Sequence, residues 1–88
     1  MRNLTQSTYK GFIQIDKYEQ KADGFIYKED EIEYSIYDKR KPNLTIRVAI
    51  KEDGPSINWW GDGRATVEEL RSFQRLLDIA DELIREEY

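Results

Sequence analysis

The spacing of the hydrophobic residues changes once along this chain, at Thr66, and that change limits the fold more than any other feature. Before Thr66, apolar and polar residues alternate with the period of two that is typical of strands. After it, apolar residues recur every three or four positions, as on one face of an α-helix. A chain of 88 residues with one such switch is expected to form a single domain of the α+β class. The predicted architecture is a four- to five-stranded antiparallel β-meander with one C-terminal helix packed on one face.

The alternation is clearest in residues 31–39 and 44–52, where the even-numbered positions are mostly apolar and face one way. Aromatic and β-branched residues favour three further strands. The predicted strands are 8–16, 24–30, 31–39, 44–52 and 56–60. The first two are expected to form a hairpin, with its turn at Ala22-Asp23-Gly24.

A helix is predicted over residues 67–87. Thr66 suits the N-cap, and Glu69 three residues later completes a Thr-x-x-Glu capping box. One apolar stripe is expected to face the sheet, widened on one side by Leu76 and Leu83. Its members are Val67, Leu70, Phe73, Leu77, Ala80 and Ile84.

The chain has neither histidine nor cysteine, two residue types that carry out much of enzyme chemistry. This excludes imidazole general bases, thiol nucleophiles and thiolate metal sites. Acidic residues cluster at 29–33 and 52–53, but their spacing fits no EF-hand loop and favours a solvated surface. We therefore expect no enzyme activity, no cofactor and no metal, and the lack of cysteine favours a reducing cytoplasm.

The net charge of −4 lies entirely in residues 67–88, which hold seven acidic residues and three arginines. A chain with this charge is not expected to bind a nucleic-acid backbone directly. An acidic helix face that imitates nucleic acid remains an alternative. The sequence has no recognisable signal peptide and no apolar run near the roughly 20 residues that span a bilayer, so we expect a soluble protein that does not bind membranes.

Two adjacent tryptophans stand at the end of the last predicted strand. By strand parity Trp59 is expected to support the core, on the face of Ile57, whereas Trp60 lies on the opposite face. That face would also carry Tyr37 and Arg47, and aromatic residues and arginine are enriched at the centres of protein interfaces. We therefore predict Trp60, Tyr37 and Arg47 as contacts for a protein partner, with Arg64 at their rim.

The segment after the tryptophans offers a second type of site. Gly61 and Gly63 allow close approach of a ligand to the backbone, Arg64 supplies a guanidinium, and Thr66 begins the helix. These four residues could hold a small anionic nucleotide signal. The alternative is a plain strand-to-helix connection in which the capping box already uses the free N–H groups.

With the helix TVEELRSFQRLLDIADELIREEY after a meander that ends in INWWGDG, the chain is similar in size and layout to small accessory proteins of bacteria and their phages. This resemblance implies a non-enzymatic role in a bacterial or phage-infected cytosol. The small anti-defence proteins of phages, for example, inhibit a host protein or sequester a signal molecule. The predicted function is occupation of a protein partner's surface, with nucleotide sequestration and nucleic-acid mimicry as alternatives, and a homodimer is left open.

Overall fold

The order of the secondary-structure elements places all strands before one helix. The computed structural model describes residues 2–26, 28–60 and 64–87. Its elements are β1 (Arg2–Lys10), β2 (Ile13–Gln20), β3 (Glu31–Asp38), β4 (Lys41–Lys51), β5 (Gly54–Trp60) and α1 (Val67–Glu87). The strands form one antiparallel sheet in chain order, and α1 packs mainly against β4 and β3. The predicted α+β meander with a C-terminal helix is therefore confirmed.

The core lies where α1 crosses the two strands β3 and β4. Ile36 and Ile46 pair across these strands, and both are fully buried together with Val48. Leu76 and Ala80 of α1 are fully buried against them. Even-numbered residues of β3 and β4 thus face the helix, as their alternation predicts. We call this surface of the sheet the helix-side face and the opposite surface the open face.

The start of α1 has the predicted cap. The backbone N–H of Glu69 donates to the Thr66 hydroxyl at 3.1 Å, and the Thr66 N–H donates to the Glu69 carboxylate at 3.3 Å. The predicted stripe, however, is centred differently, because Leu76 is fully buried whereas Val67 and Leu70 are exposed. The first turn of α1 therefore extends beyond the core.

The prediction of one strand over residues 8–16 is wrong. The chain turns at Gly11 and Phe12, and β1 and β2 pair on either side of that turn. Gly11 has a φ of 62°, which a residue without a Cβ adopts at little cost. The first hairpin is therefore β1–β2, and its turn is not the predicted Ala22-Asp23-Gly24.

The predicted strand 24–30 is also wrong, since it falls in the connection between β2 and β3. All eight residues of β2 pair directly with β3, which leaves no position for a strand between them. Gly24 has a φ of 80°, and the Asp23 carboxylate accepts the backbone N–H of Phe25 at 2.8 Å. These features bend the chain, and Phe25 and Ile26 remain exposed.

The remaining predicted elements have counterparts in the structure, although their bounds differ. The predictions 31–39, 44–52 and 56–60 correspond to β3, β4 and β5. The strands β4 and β5 begin before the predicted residues, at Lys41 and Gly54, because their pairing continues into the tight turns that precede them. The predicted helix 67–87 has the bounds of α1.

A buried carboxylate organises the turn between β3 and β4. The Asp38 carboxylate, 3% exposed as a residue, accepts the Arg40 backbone N–H at 2.9 Å and the Arg40 guanidinium at 3.1 and 2.8 Å. These hydrogen bonds lower the pKa of Asp38. The same guanidinium lies 4.3 Å above the Phe12 ring, and the Lys39 N–H donates to the Phe12 carbonyl at 2.8 Å. The β3–β4 turn is therefore tied to the β1–β2 turn.

The substitution Asp38→Asn is expected to lower the free energy of unfolding by about 1–2 kcal/mol at pH 7, because it removes the charge that the Arg40 hydrogen bonds stabilise. The folded pKa of Asp38 lies below its unfolded value, so this stabilisation is present above about pH 4 and is lost as the pH falls. Urea unfolding at pH 7 and pH 3 measures both effects. Asp53→Asn at the exposed β4–β5 turn is the control, and an Asp38→Asn protein as stable as wild type at pH 7 would contradict the prediction.

Candidate functional site

The helix-side face of β5 is the apolar part of the sheet that α1 leaves uncovered. Ile57 pairs with Val48 and Trp59 pairs with Ile46, so both continue the buried rows of the core. Yet Ile57 is 42% exposed and Trp59 is 65% exposed. The expectation that Trp59 supports the core is therefore corrected: its face is the predicted one, but the helix does not reach far enough to cover it.

Two further apolar side chains, in the first turns of α1, are also exposed. Val67 is 66% exposed and Leu70 is 57% exposed. Leu70 lies three residues before Phe73 and is its neighbour on the helix surface, and Val67 is in turn the neighbour of Leu70. Phe73 contacts Trp59 edge to face, with ring centroids 6.0 Å apart. We call Ile57, Trp59, Val67 and Leu70 the apolar corner.

A surface of this composition can bind another apolar surface. Single exposed hydrophobic residues are common, whereas apolar patches that include several side chains are typical of protein-binding sites. Ile57 and Trp59 lie two positions apart on the same face of β5, and Phe73 packs against Trp59. The Trp59 ring offers a large rigid area, and the residues around the corner include both signs of charge, at Glu68, Glu69 and Arg71. An apolar centre with a charged surround is the usual arrangement of a protein interface.

The predicted partner-binding residues lie on the other side of the sheet. Tyr37 and Trp60 both pair with Thr45, so β3, β4 and β5 bring them into one row, and Arg47 follows two positions along β4. The register thus places the predicted residues on one face. The side chain of Trp60 lies outside the described part of the structure, and Arg64 is an exposed residue of the connection before α1.

Polar side chains of the open face form hydrogen bonds with one another. The buried Asp16 carboxylate accepts the Ser7 hydroxyl at 2.8 Å and the Gln14 amide at 2.9 Å. The Arg47 guanidinium lies 3.8 Å from the largely buried Glu33 carboxylate. Burial and the nearby Asp16 charge raise the pKa of the half-buried Tyr37, which stays protonated at neutral pH. This face offers polar groups that already have partners within the chain.

The proposed anion site at residues 61–66 is described only in part. Gly61 and Gly63 lie outside the described residues. Arg64 is exposed, and Thr66 exchanges two hydrogen bonds with Glu69. The Glu69 carboxylate therefore already occupies the positive end of the helix and would repel a second anion there. The capping role of Thr66 is supported by these contacts, whereas its role as a ligand for an anion stays a prediction.

Most acidic groups of α1 have partners within the chain. Glu82 pairs with Lys10 at 3.5 Å, Asp81 pairs with Arg85 at 3.1 Å, and Glu87 accepts the Tyr34 hydroxyl at 2.8 Å. An open groove of about 330 Å³ between α1 and β1–β2 includes Lys10 and Lys17 on one wall and Glu82 and Glu87 on the other. Lys10 and Glu82 form an ion pair across it.

Among residues 2–26, 28–60 and 64–87, no group of three or more acidic side chains is arranged to hold a metal ion. Within the same ranges, no helix has both the length and the apolar character needed to cross a bilayer. Comparisons of the chain with protein-family models, with curated proteins and with solved structures find no match. The site must therefore be interpreted from its own geometry.

Sequence reasoning missed the apolar corner for a definite reason. All four of its residues are apolar at positions where the period predicts burial, so the sequence pattern places them in the core. The one signal for an exposed apolar surface is the ratio of strands to helices, since a sheet of five strands offers more apolar surface than one helix can cover. Whether β5 or β1 stays uncovered depends on where the helix crosses the sheet.

The substitution Trp59→Ala is expected to lower the free energy of unfolding by only about 1 kcal/mol, because the indole makes an edge contact and remains mostly exposed. Its neighbour in the same row is the comparison: Ile46→Ala empties a fully buried position and is expected to cost about 3 kcal/mol. Urea unfolding followed by circular dichroism measures both values. Equal losses would show that Trp59 belongs to the core after all.

Proposed function

We propose that this chain is a non-enzymatic binding protein that acts by occupying the surface of a protein partner, and that the apolar corner is its main contact. The observation that carries the proposal is the exposure of four apolar side chains at β5 and at the start of α1, namely Ile57, Trp59, Val67 and Leu70. Burying the exposed area of each side chain against a partner would contribute roughly 1 kcal/mol or more to the free energy of binding. The absence of histidine and cysteine supports a role without catalysis.

The open face is the second surface that such a partner could contact. Tyr37 and Arg47 lie on it together with the register position of Trp60. Its hydrogen bonds hold the polar side chains in fixed positions, which lowers the entropy lost on binding. However, its polar groups are already bonded within the chain, whereas the apolar corner gains most from being covered. The corner is therefore the favoured contact surface, and the open face is its alternative.

The partner is expected to be a protein and not a nucleic acid or a nucleotide. An apolar surface recognises protein side chains, while a phosphate backbone requires a basic surface. Imitation of nucleic acid by α1 has little support, because most of its carboxylates are bonded within the chain. An inhibitor of a bacterial host protein, as the resemblance to small phage and bacterial accessory proteins implies, is one form that a surface-occupying protein takes.

A photocrosslinking experiment tests this function in the cells that encode the chain. We place p-benzoyl-phenylalanine at Leu70 in the apolar corner, at Tyr37 on the open face, or at Arg75 on the outer side of α1. Light is expected to give a discrete adduct from Leu70 and none from the exposed control position Arg75. Proteolysis and mass spectrometry of the adduct then identify the partner.

The three positions separate the alternatives. An adduct from Tyr37 alone would contradict the corner and move the contact to the open face. Identical adducts from Leu70 and Arg75 would mean random encounters. If no position gives an adduct in the native cells, the proposed function is wrong.

A further inference from the structure

The strand β5 forms one edge of the sheet, and it carries no charged residue. Its sequence is GPSINWW, in a protein of which 36% is charged. All seven residues pair with β4 in one regular register without a bulge. An edge strand presents unpaired N–H and C=O groups, and a long, regular, uncharged edge is the kind that accepts another strand.

The opposite edge, β1, is protected in the ways that natural sheets use. A bulge between Leu4 and Gln6 interrupts its pairing with β2. Charged residues stand at both of its ends, Arg2 and Lys10, and most of its other residues are polar. Bulges and charges discourage the addition of a strand. Of the two edge strands, β5 carries less of this protection, with Pro55 as its one such feature.

We propose that the partner of β5 is a second copy of this chain, which adds its own β5 antiparallel to the first around a two-fold axis at Ile57. This inference rests on the proposed function, because it names what lies beside Ile57 and Trp59 of the apolar corner. The two sheets then form one continuous sheet of ten strands. A symmetric dimer of this type uses the same surface twice, so the strand must be complementary to itself.

The sequence of β5 meets this requirement when Ile57 lies at the axis. Ile57 then faces Ile57 of the second copy, and Trp59 faces Pro55 of the second copy, so the helix-side row is apolar throughout. On the open face, Ser56 lies opposite Asn58 of the second copy, and both are polar and uncharged. No pair places like charges together, and this register uses the full length of the strand.

The dimer also explains why β5 is apolar where α1 does not cover it. Ile57 and Trp59 are exposed because α1 does not reach across them and because the sheet ends beside them. A second sheet edge continues the apolar row of Ile46 and Trp59 and covers the sides of Ile57 and Trp59 that face the edge. Pro55 has no N–H, so the pairing depends on the central residues of the strand.

Charge sets the salt dependence of the association. Each copy carries a net charge of −4, so two copies repel each other at long range while the paired strands themselves are uncharged. Salt screens that repulsion. The dimer is therefore expected to become tighter as the salt concentration rises, which is the opposite of an interface held by ion pairs.

Sedimentation equilibrium of the whole chain provides the first test. The wild type is expected to approach twice the 10.5 kDa chain mass at submillimolar concentration, and more completely in high salt. Ile57→Lys and Ile57→Glu each place like charges at the axis and are expected to weaken association at least about tenfold. A mixture of these two variants is expected to restore the dimer as a heterodimer, which also shows that both variants fold.

Leu4→Lys is the matched control, since Leu4 is an exposed aliphatic residue of the other edge strand. It is expected to dimerise like the wild type. A monomeric wild type at every salt and protein concentration would overturn the proposal. So would a dimer that survives Ile57→Lys or is lost with Leu4→Lys.

A single engineered cysteine tests the register, because the chain has no cysteine of its own. Directly opposite residues of antiparallel strands have Cβ atoms about 4.5–5.5 Å apart, close enough for a disulfide after a small shift. Ile57→Cys is expected to give a disulfide-linked dimer under mild oxidation, and Leu4→Cys is not. Equal linkage of the two variants would contradict an axis at Ile57.

The outcome also separates this inference from the proposed function. A monomeric protein whose corner position Leu70 still crosslinks to a foreign protein would refute the dimer and leave the binding function standing. A monomeric protein with no adduct at Leu70 or Tyr37 would refute both. A dimer that gives only the adduct of two identical chains would support this inference and refute a foreign partner at the corner.

Discussion

One helix has to cover a sheet of five strands, and the rest of the structure depends on this mismatch. A helix is about 10 Å wide and strands lie about 4.8 Å apart, so α1 can cover about two strands. It lies over β3 and β4, where Ile36, Ile46 and Val48 are fully buried beneath Leu76 and Ala80. Every apolar residue outside that crossing needs another cover or stays exposed to water.

The two edges of the sheet differ in the residues that they place on the uncovered helix-side face. On the β1 side, the helix-side positions carry Gln6, Thr8 and Lys10, which water can solvate, and Glu82 of α1 reaches Lys10 across the groove. On the β5 side, the same positions carry Ile57 and Trp59. A small domain has little surplus stability, so exposed apolar groups bring no benefit to folding itself. The asymmetry between the two sides is therefore the main physical reason to look for a partner on the β5 side.

The sequence predicted the elements whose local signals agree with their packing. The alternation in β3 and β4, the capping box of Thr66 and Glu69, and the period of α1 each specify one structure. It failed for β1 and β2, where the turn depends on Gly11, because a single glycine inside an aromatic run is a weak turn signal. It failed again at Phe25 and Ile26, whose β-propensity is overridden because β2 and β3 pair directly.

The adjacent tryptophans show where sequence reasoning about the site reaches its limit. The period of two assigns Trp59 and Trp60 to opposite faces, and the contact of Trp59 with Phe73 confirms the helix-side position of Trp59. The same period cannot decide burial, because burial depends on how far α1 extends across the sheet. Because β5 is an edge strand, both tryptophan positions would lie next to any strand added to the sheet. A strand added to β5 would lie beside Trp59 on one face and beside the register position of Trp60 on the other, so both faces of the new pairing would gain an aromatic neighbour.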